Sequence, residues 1–182
     1  MNADPSLDTT AGQALPPLPS PERLQDLLFD AARLGRDDMI RALLQAGADS
    51  AAQDAKGYTA LILATYHDHR STAALLVDQG ADIDQPDAGR GNTALMGVAF
   101  KGFGDLARQL LAAGADPHAT NKAGQTALMM AALFGHADIV DALLERGADP
   151  HQQDSAGNSA LSVAASQGND AMKARLEGGP PR

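Results

Sequence analysis

Five histidines, His67, His69, His118, His136 and His151, are the residues of this sequence best suited to ligate a metal or move a proton. No cysteine accompanies them, so thiol nucleophiles, thiolate ligation and disulfides are excluded. His67 and His69 flank Asp68 and offer two imidazoles to one ion. A zinc site uses three or four protein ligands, so the same three residues read better as a polar surface turn. No spacing suggests a Ser/His/Asp set. Gly89-Arg90-Gly91 is a turn rather than a phosphate-cradling loop, because no Gly-rich run ends in Lys-Ser or Lys-Thr. The reading is therefore of a chain that is not an enzyme, with no catalytic residue, no metal ligand and no cofactor. A metal-binding accessory protein using its surface histidines is the alternative.

A second chemistry is molecular recognition. The sequence holds six aromatic residues, Phe29, Tyr58, Tyr66, Phe100, Phe103 and Phe134, and four lysines, Lys56, Lys101, Lys122 and Lys173. Aromatic and cationic side chains that meet on one surface are the usual anchors of protein recognition. Whether these meet depends on the elements that carry them, and those elements repeat.

A Gly-Ala-Asp triplet begins at Gly47, Gly80, Gly114 and Gly147, in steps of 33, 34 and 33 residues. A Thr/Ser-Ala-Leu triplet begins at Thr59, Thr93, Thr126 and Ser159, each two residues after a glycine (Gly57, Gly91, Gly124, Gly157). Repeats of this length are the signature of stacked modules. The Thr or Ser hydroxyls suit helix N-caps. Each opens a short Ala/Leu-rich helix, such as 127–134, that ends at Gly102, Gly135 or Gly168. A second helix follows, such as 137–146, with Ile139, Val140, Leu143 and Leu144 forming one apolar stripe. The glycines of the Gly-Ala-Asp triplets sit where a left-handed C-terminal cap is wanted. The dozen residues from there to the next Thr are rich in Asp, Gly, Asn and Pro and should form an extended finger with a tight turn.

With these motifs in one register, residues 121–149 resemble a near-complete ankyrin repeat. The resemblance covers about residues 21–177. It implies an all-α solenoid of about five repeats, each a helix-turn-helix plus a finger loop, with a concave groove. The units run 21–53, 54–86, 87–120, 121–153 and 154–177. The family's Thr-Pro-Leu-His is replaced by Thr59-Ala-Leu-Ile62, Thr93-Ala-Leu-Met96, Thr126-Ala-Leu-Met129 and Ser159-Ala-Leu-Ser162. Loss of the His should weaken coupling between fingers. The Thr-Ala-Leu form resembles small stand-alone bacterial members. Asp68 stands where Gly is usual. The finger before Thr93 carries one extra residue within 82–91 and should bulge, as insertions map to loops.

In the family, two residues before the finger Gly, one after it and two at the end of the first helix face the groove. Carried over, these are Ala55, Lys56, Tyr58, Tyr66 and His67; then Gly89, Arg90, Asn92, Phe100 and Lys101. The fourth unit supplies Lys122, Ala123, Gln125, Leu133 and Phe134, and the fifth Ser155, Ala156, Asn158, Ser166 and Gln167. Four of the six aromatics and three of the four lysines fall on this set. The second helices and their caps are acidic instead: Asp78, Asp105, Asp138, Asp141 and Glu145. Tyr66, Phe100 and Phe134 serve either as recognition anchors or as packing between neighbouring first helices. His118 and His151 occupy matching places 33 residues apart. Packed helices stand about 10 Å apart, too far for these two to share an ion.

A net charge of −9 argues against nucleic acid as a general partner. No apolar run is long enough to span a membrane, and the first twenty residues lack the basic start and apolar core of a secretory signal. A cytoplasmic protein, monomeric when free, is expected. Residues 1–19, with four prolines, are expected to form a disordered tail in which Leu15-Pro-Pro-Leu-Pro19 resembles a polyproline ligand; residues 178–182 form a C-terminal tail. The partner expected is a protein or peptide with acidic and apolar groups. It is a bacterial effector if the chain is an inhibitor or immunity protein; an accessory role in peroxide or catalase-linked defence, or structural use of the acidic outer face in an assembly, are the other readings.

Overall fold

The computed structural model describes residues 19–178; the expectations for 1–18 and 179–182 lie outside the described residues. Those described form ten helices and no strand. They run in pairs: α1 (Pro21–Leu34) with α2 (Asp37–Gln45), α3 (Ala60–Tyr66) with α4 (Arg70–Asp78), and α5 (Ala94–Lys101) with α6 (Gly104–Ala112). α7 (Ala127–Leu133) then pairs with α8 (Ala137–Glu145), and α9 (Ala160–Ser166) with α10 (Asp170–Gly178).

The hydroxyls of Thr59, Thr93, Thr126 and Ser159 accept from the backbone N–H three residues on, at 3.2–3.4 Å. Ser162 returns the favour to the Ser159 N–H, so its place in the family's His position completes a capping box. Met96 and Met129, at the same position, are buried instead. Thr126 is itself buried. Thr126→Ala should cost about 1 kcal/mol, read as a lower denaturation midpoint.

The first helices pack in one row, α1 on α3, α3 on α5, α5 on α7 and α7 on α9, and each also packs on its own second helix. The core is a continuous band of Leu and Ala: Leu28, Leu61, Leu95 and Leu128 recur at one register, all nearly inaccessible, with Ala32, Ala64, Ala99 and Ala132 between them. Small residues let short helices approach closely, which explains how a chain of 3% aromatic content fills its interior. In the outer row α2 packs on α4, α6 on α8 and α8 on α10. Between α4 and α6 a cleft of about 70 Å³ stays open, lined by Ala73, Ala74, Val77, Gln109, Leu110 and Ala113.

At the turn joining each helix pair the chain passes through a left-handed residue. Asp68, with φ of 58°, takes the conformation that glycine takes at Gly35, Gly102, Gly135 and Gly168; short polar residues tolerate it best.

Candidate functional site

Each finger tip is a tight turn held by its leading Asp or Asn. Asp54, Asn121 and Asp154 each bond the backbone N–H groups two and four residues on, at 2.9–3.0 Å. The turns close from Asp54 N–H to the Tyr58 carbonyl, from Asn121 to Gln125 and from Asp154 to Asn158. In the third unit the closure runs from Asp87 to Asn92, one residue longer. The insertion therefore lies in the tip itself. Asp87 absorbs it: its buried carboxylate accepts from the N–H groups of Arg90, Gly91 and Asn92 at 2.7, 3.2 and 3.0 Å. Asp87→Ala strands those groups and should destabilise by about 2 kcal/mol, with amide exchange accelerated at Arg90 and Asn92 first.

Neighbouring fingers are joined by backbone bonds: Ala88 N–H to the Gly57 carbonyl, Lys122 N–H to Arg90 and Ser155 N–H to Ala123, at 2.9–3.0 Å. Side chains add to this. Lys122 Nζ bonds the carbonyls of Ala88 and Gly89 at 2.7 and 2.9 Å. The Asn121 amide donates to Asn92 and to Gln125 at 2.9 and 3.1 Å. So Lys122 and Asn92, two of the groove positions, tie one finger to the next, while Gln125 steadies Asn121 within its own finger. These bonds supply the coupling whose side-chain bridge the missing His removes.

The remaining groove residues form a ridge. Among the described residues, the large apolar side chains that stand exposed are Leu34, Tyr58, Tyr66, Phe100, Leu133 and Phe134, from 37% to 69% accessible. All six lie at a finger tip or at the end of a first helix. Phe100 and Phe134 meet edge-to-face with centroids 4.7 Å apart, yet both stay about half exposed. Packing and exposure therefore coexist in the same rings. Lys101 Nζ sits 4.3 Å from the Tyr66 ring centroid, a cation–π contact. Lys56, Tyr58, Tyr66 and His67 share with Arg33 and Asp54 a cleft of about 380 Å³ floored by Ile62 and Leu63.

Arg33 and Leu34 hold in the first unit the places that Tyr66 and His67 hold in the second. Groove positions indexed from each unit's finger leave them out, because no finger precedes α1 among the described residues. The 33-residue step back from His67 would have found them.

Charge is divided between the faces. On the second helices and their caps, Arg36, Arg70, Arg108, Lys173 and Arg175 pair with carboxylates, Arg70 reaching Asp105 at 2.9 Å. Arg41 is the exception, and Arg146 bonds the Leu111 carbonyl. On the ridge, Lys56, Arg90, Lys101 and Lys122 have no carboxylate partner among the described residues. Burial, then the neighbouring His69, Lys101 and Arg33 charges, lower the His67 pKa below its ordinary value. For Asp54, burial acts to raise the pKa, but the N–H groups of Tyr58 and Lys56 and the Arg33 guanidinium at 2.5 Å outweigh it, and the net shift is downward.

The histidines are spread along the stack. His69 Nε2–H donates to the Arg33 carbonyl at 2.9 Å, while its ring lies over Gly35. His136 covers Gly102 in the same way; a Cβ on that glycine would come within 2.5 Å of the ring. Both seal a turn of the preceding unit. The exposed His118 and His151 sit at finger bases, their N–H groups on Asp116 and Asp149. Among the described residues, no three His, Asp or Glu side chains converge as metal ligands, and no helix is long and apolar enough to cross a membrane.

A family model for ankyrin repeats matches residues 19–87 and 95–177. The chain is 39% identical over 90 residues to an ankyrin repeat-containing protein of Treponema pallidum (strain Nichols), covering 50% of this chain and 30% of that protein. It is 43% identical over 84 residues to the nuclear factor NF-kappa-B p105 subunit of Gallus gallus, covering 45% of this chain and 8% of the relative. Over 105 residues it is 35% identical to ankyrin repeat and SOCS box protein 16 of Mus musculus, covering 53% and 23%. The chain thus spans less than a third of the length of each of these relatives.

Proposed function

The chain belongs to the ankyrin-repeat family, and from that premise we propose that it is a non-catalytic scaffold which grips a protein or peptide partner along its concave ridge. Ankyrin repeats generally mediate protein–protein interaction. The observation that carries the reading here is that all six large apolar side chains exposed among the described residues lie at finger tips or at the ends of first helices. Apolar area that a stack leaves in water in this concentrated form is a contact surface in waiting. The unpaired Lys56, Arg90 and Lys101 beside it favour a partner with acidic groups near its apolar ones. The bacterial relative supports a bacterial setting, and in its finer form the proposal is an inhibitor or immunity protein for an effector. The alternatives, a peroxide-defence accessory or a metal-binding accessory, draw no support from the ridge. We place the protein in the cytoplasm, monomeric until it meets its partner.

The test begins with capture of the partner from native lysate by the intact chain. Arg90→Glu combined with Lys101→Glu should then weaken the purified complex at least tenfold, about 1.4 kcal/mol. Asp105→Lys, on the outer row, should leave it unchanged. The opposite pattern would move the contact to the acidic outer face. If the captured partner is an enzyme or toxin, loss of its activity in the complex supports the inhibitor reading, and full activity removes it.

A further inference from the structure

The ridge is not uniform along its length. Where the first two units meet, it opens into a cleft of about 380 Å³ between the second finger tip and the ends of α1 and α3. The floor is apolar, made by Ile62 and the buried Leu63, and the exposed rings of Tyr58 and Tyr66 line it. Resting on the reading of the ridge as a contact surface, we propose that this cleft is the partner's anchor site. It takes an extended segment that carries an aliphatic side chain and, two residues away, a carboxylate. The aliphatic group covers the floor, and the carboxylate meets the Lys56 ammonium.

Charge is the first argument. Asp54, the carboxylate that lines the cleft, is already committed: it accepts from the N–H groups of Lys56 and Tyr58 and pairs with Arg33. Nearby, Asp30 also holds Arg33, and Asp68 holds Arg70. Lys56 and Lys101 have no carboxylate partner among the described residues. Lys101 Nζ lies 4.3 Å from the Tyr66 ring centroid, which puts a second uncompensated charge beside the cleft. His67 registers the excess. Its ring stands 5.5 Å from that of Tyr66 and 6.0 Å from that of His69. Burial first, and then the charges of His69, Lys101 and Arg33, hold its pKa below the ordinary value. Unbalanced positive charge over an apolar floor complements an anion with an apolar neighbour.

Size is the second argument. The cleft volume is that of a cube about 7 Å on a side, narrower than an α-helix with its side chains, about 10 Å across. In an extended chain, side chains two residues apart point the same way and stand about 7 Å apart. Such a segment brings both groups to the cleft while its backbone stays outside.

The third argument is preorganisation. The second finger closes on itself from the Asp54 N–H to the Tyr58 carbonyl at 2.9 Å. The Asp54 carboxylate then ties that finger to Arg33 at the end of α1, at 2.5 Å. Two walls of the cleft are thus held together before anything binds, which lowers the entropic cost of occupation.

A carboxylate bound beside His67 favours the imidazolium, and this gives the site a signature of its own. NMR on the full chain tests the assignment, with acetyl-Leu-Ala-Glu-amide as the probe. The peptide should shift the resonances of Ile62 and Tyr66 and raise the His67 pKa towards its ordinary value. Acetyl-Leu-Ala-Gln-amide, of the same shape without the charge, should bind about tenfold more weakly and leave the His67 pKa where it was. Acetyl-Leu-Glu-Ala-amide, whose two groups fall on opposite faces of an extended chain, should lose as much. In Lys56→Met, a change at an exposed residue, the Glu and Gln peptides should bind alike while the amide spectrum stays that of the folded stack. Equal binding of the three peptides to the unaltered chain overturns the proposal, as does a preference for Glu that survives Lys56→Met. Shifts confined to another surface, or none at all, overturn it too. Cleft resonances that move when the chain alone is diluted overturn it and assign the cleft to a second copy. Phe100 and Phe134 do not line the cleft, so the captured partner's affinity for their alanine variants decides the ridge reading separately.

Discussion

Alanine at Phe100 or at Phe134 should each lower the affinity for a groove-bound partner by roughly 30-fold, about 2 kcal/mol, the scale of an aromatic hot spot. The two rings touch at 4.7 Å, so their losses should not add; the double variant should lose less than the product of the two. The free protein should change little. Each ring is already about half exposed, and an aromatic pair contributes only about 1 kcal/mol beyond its burial. The measurement is a titration of the purified partner against the three variants, with a melting curve for each. Unchanged affinity together with a steep loss of stability would show that the rings are packing and that the ridge is not where the partner sits.

Leu128→Ala should have the largest effect on stability. Leu128 is fully buried in α7, between α5 and α9, and truncating such a leucine costs about 3 kcal/mol in lost transfer energy and cavity. Domains are stable by only about 5–15 kcal/mol, so a fifth or more of the total is at stake. Because each repeat touches only its neighbours, the damage should also split the transition, with the units on either side of α7 unfolding at different denaturant concentrations. Leu161 holds the same register in the last unit but is only partly buried. Leu161→Ala should cost about 1 kcal/mol and leave a single transition. Equal costs at both positions, read from denaturant midpoints, would contradict a core centred on the middle units.

The fold was legible because several short motifs recur in one register, and each has a local physical cause: a hydroxyl cap, a left-handed glycine, an apolar stripe. The site was legible only in part, for three reasons. Spacing tells which side chains share a wall but not how much of each stays in water, so Phe100 and Phe134 were open to two readings; in the structure they pack on each other and remain exposed. Spacing also says nothing of side-chain reach. Lys122 bends its ammonium onto the carbonyls of the neighbouring tip, and the carboxylate that holds the extra residue, Asp87, looks in sequence like any other finger aspartate. Finally, a register indexed on fingers says nothing of Arg33 and Leu34, because no finger precedes α1 among the described residues.

The open seam between α4 and α6 has a mechanical consequence. On the concave side the second and third units are stitched by the backbone bond from Ala88 to Gly57 and by Lys101, whose ammonium lies over the Tyr66 ring. On the outer side Arg70 bridges the starts of α4 and α6, pairing with Asp105 and accepting from Gln109 at its carbonyl, both at 2.9 Å, while towards the helix ends a gap stays open beside Ala74, Val77 and Ala113. Pinned at one end of the helix pair and open at the other, this junction has room to hinge about Arg70. A partner that tightens or relaxes the curve there would swing Tyr58 and Tyr66 against Phe100 and Phe134 while leaving each unit intact.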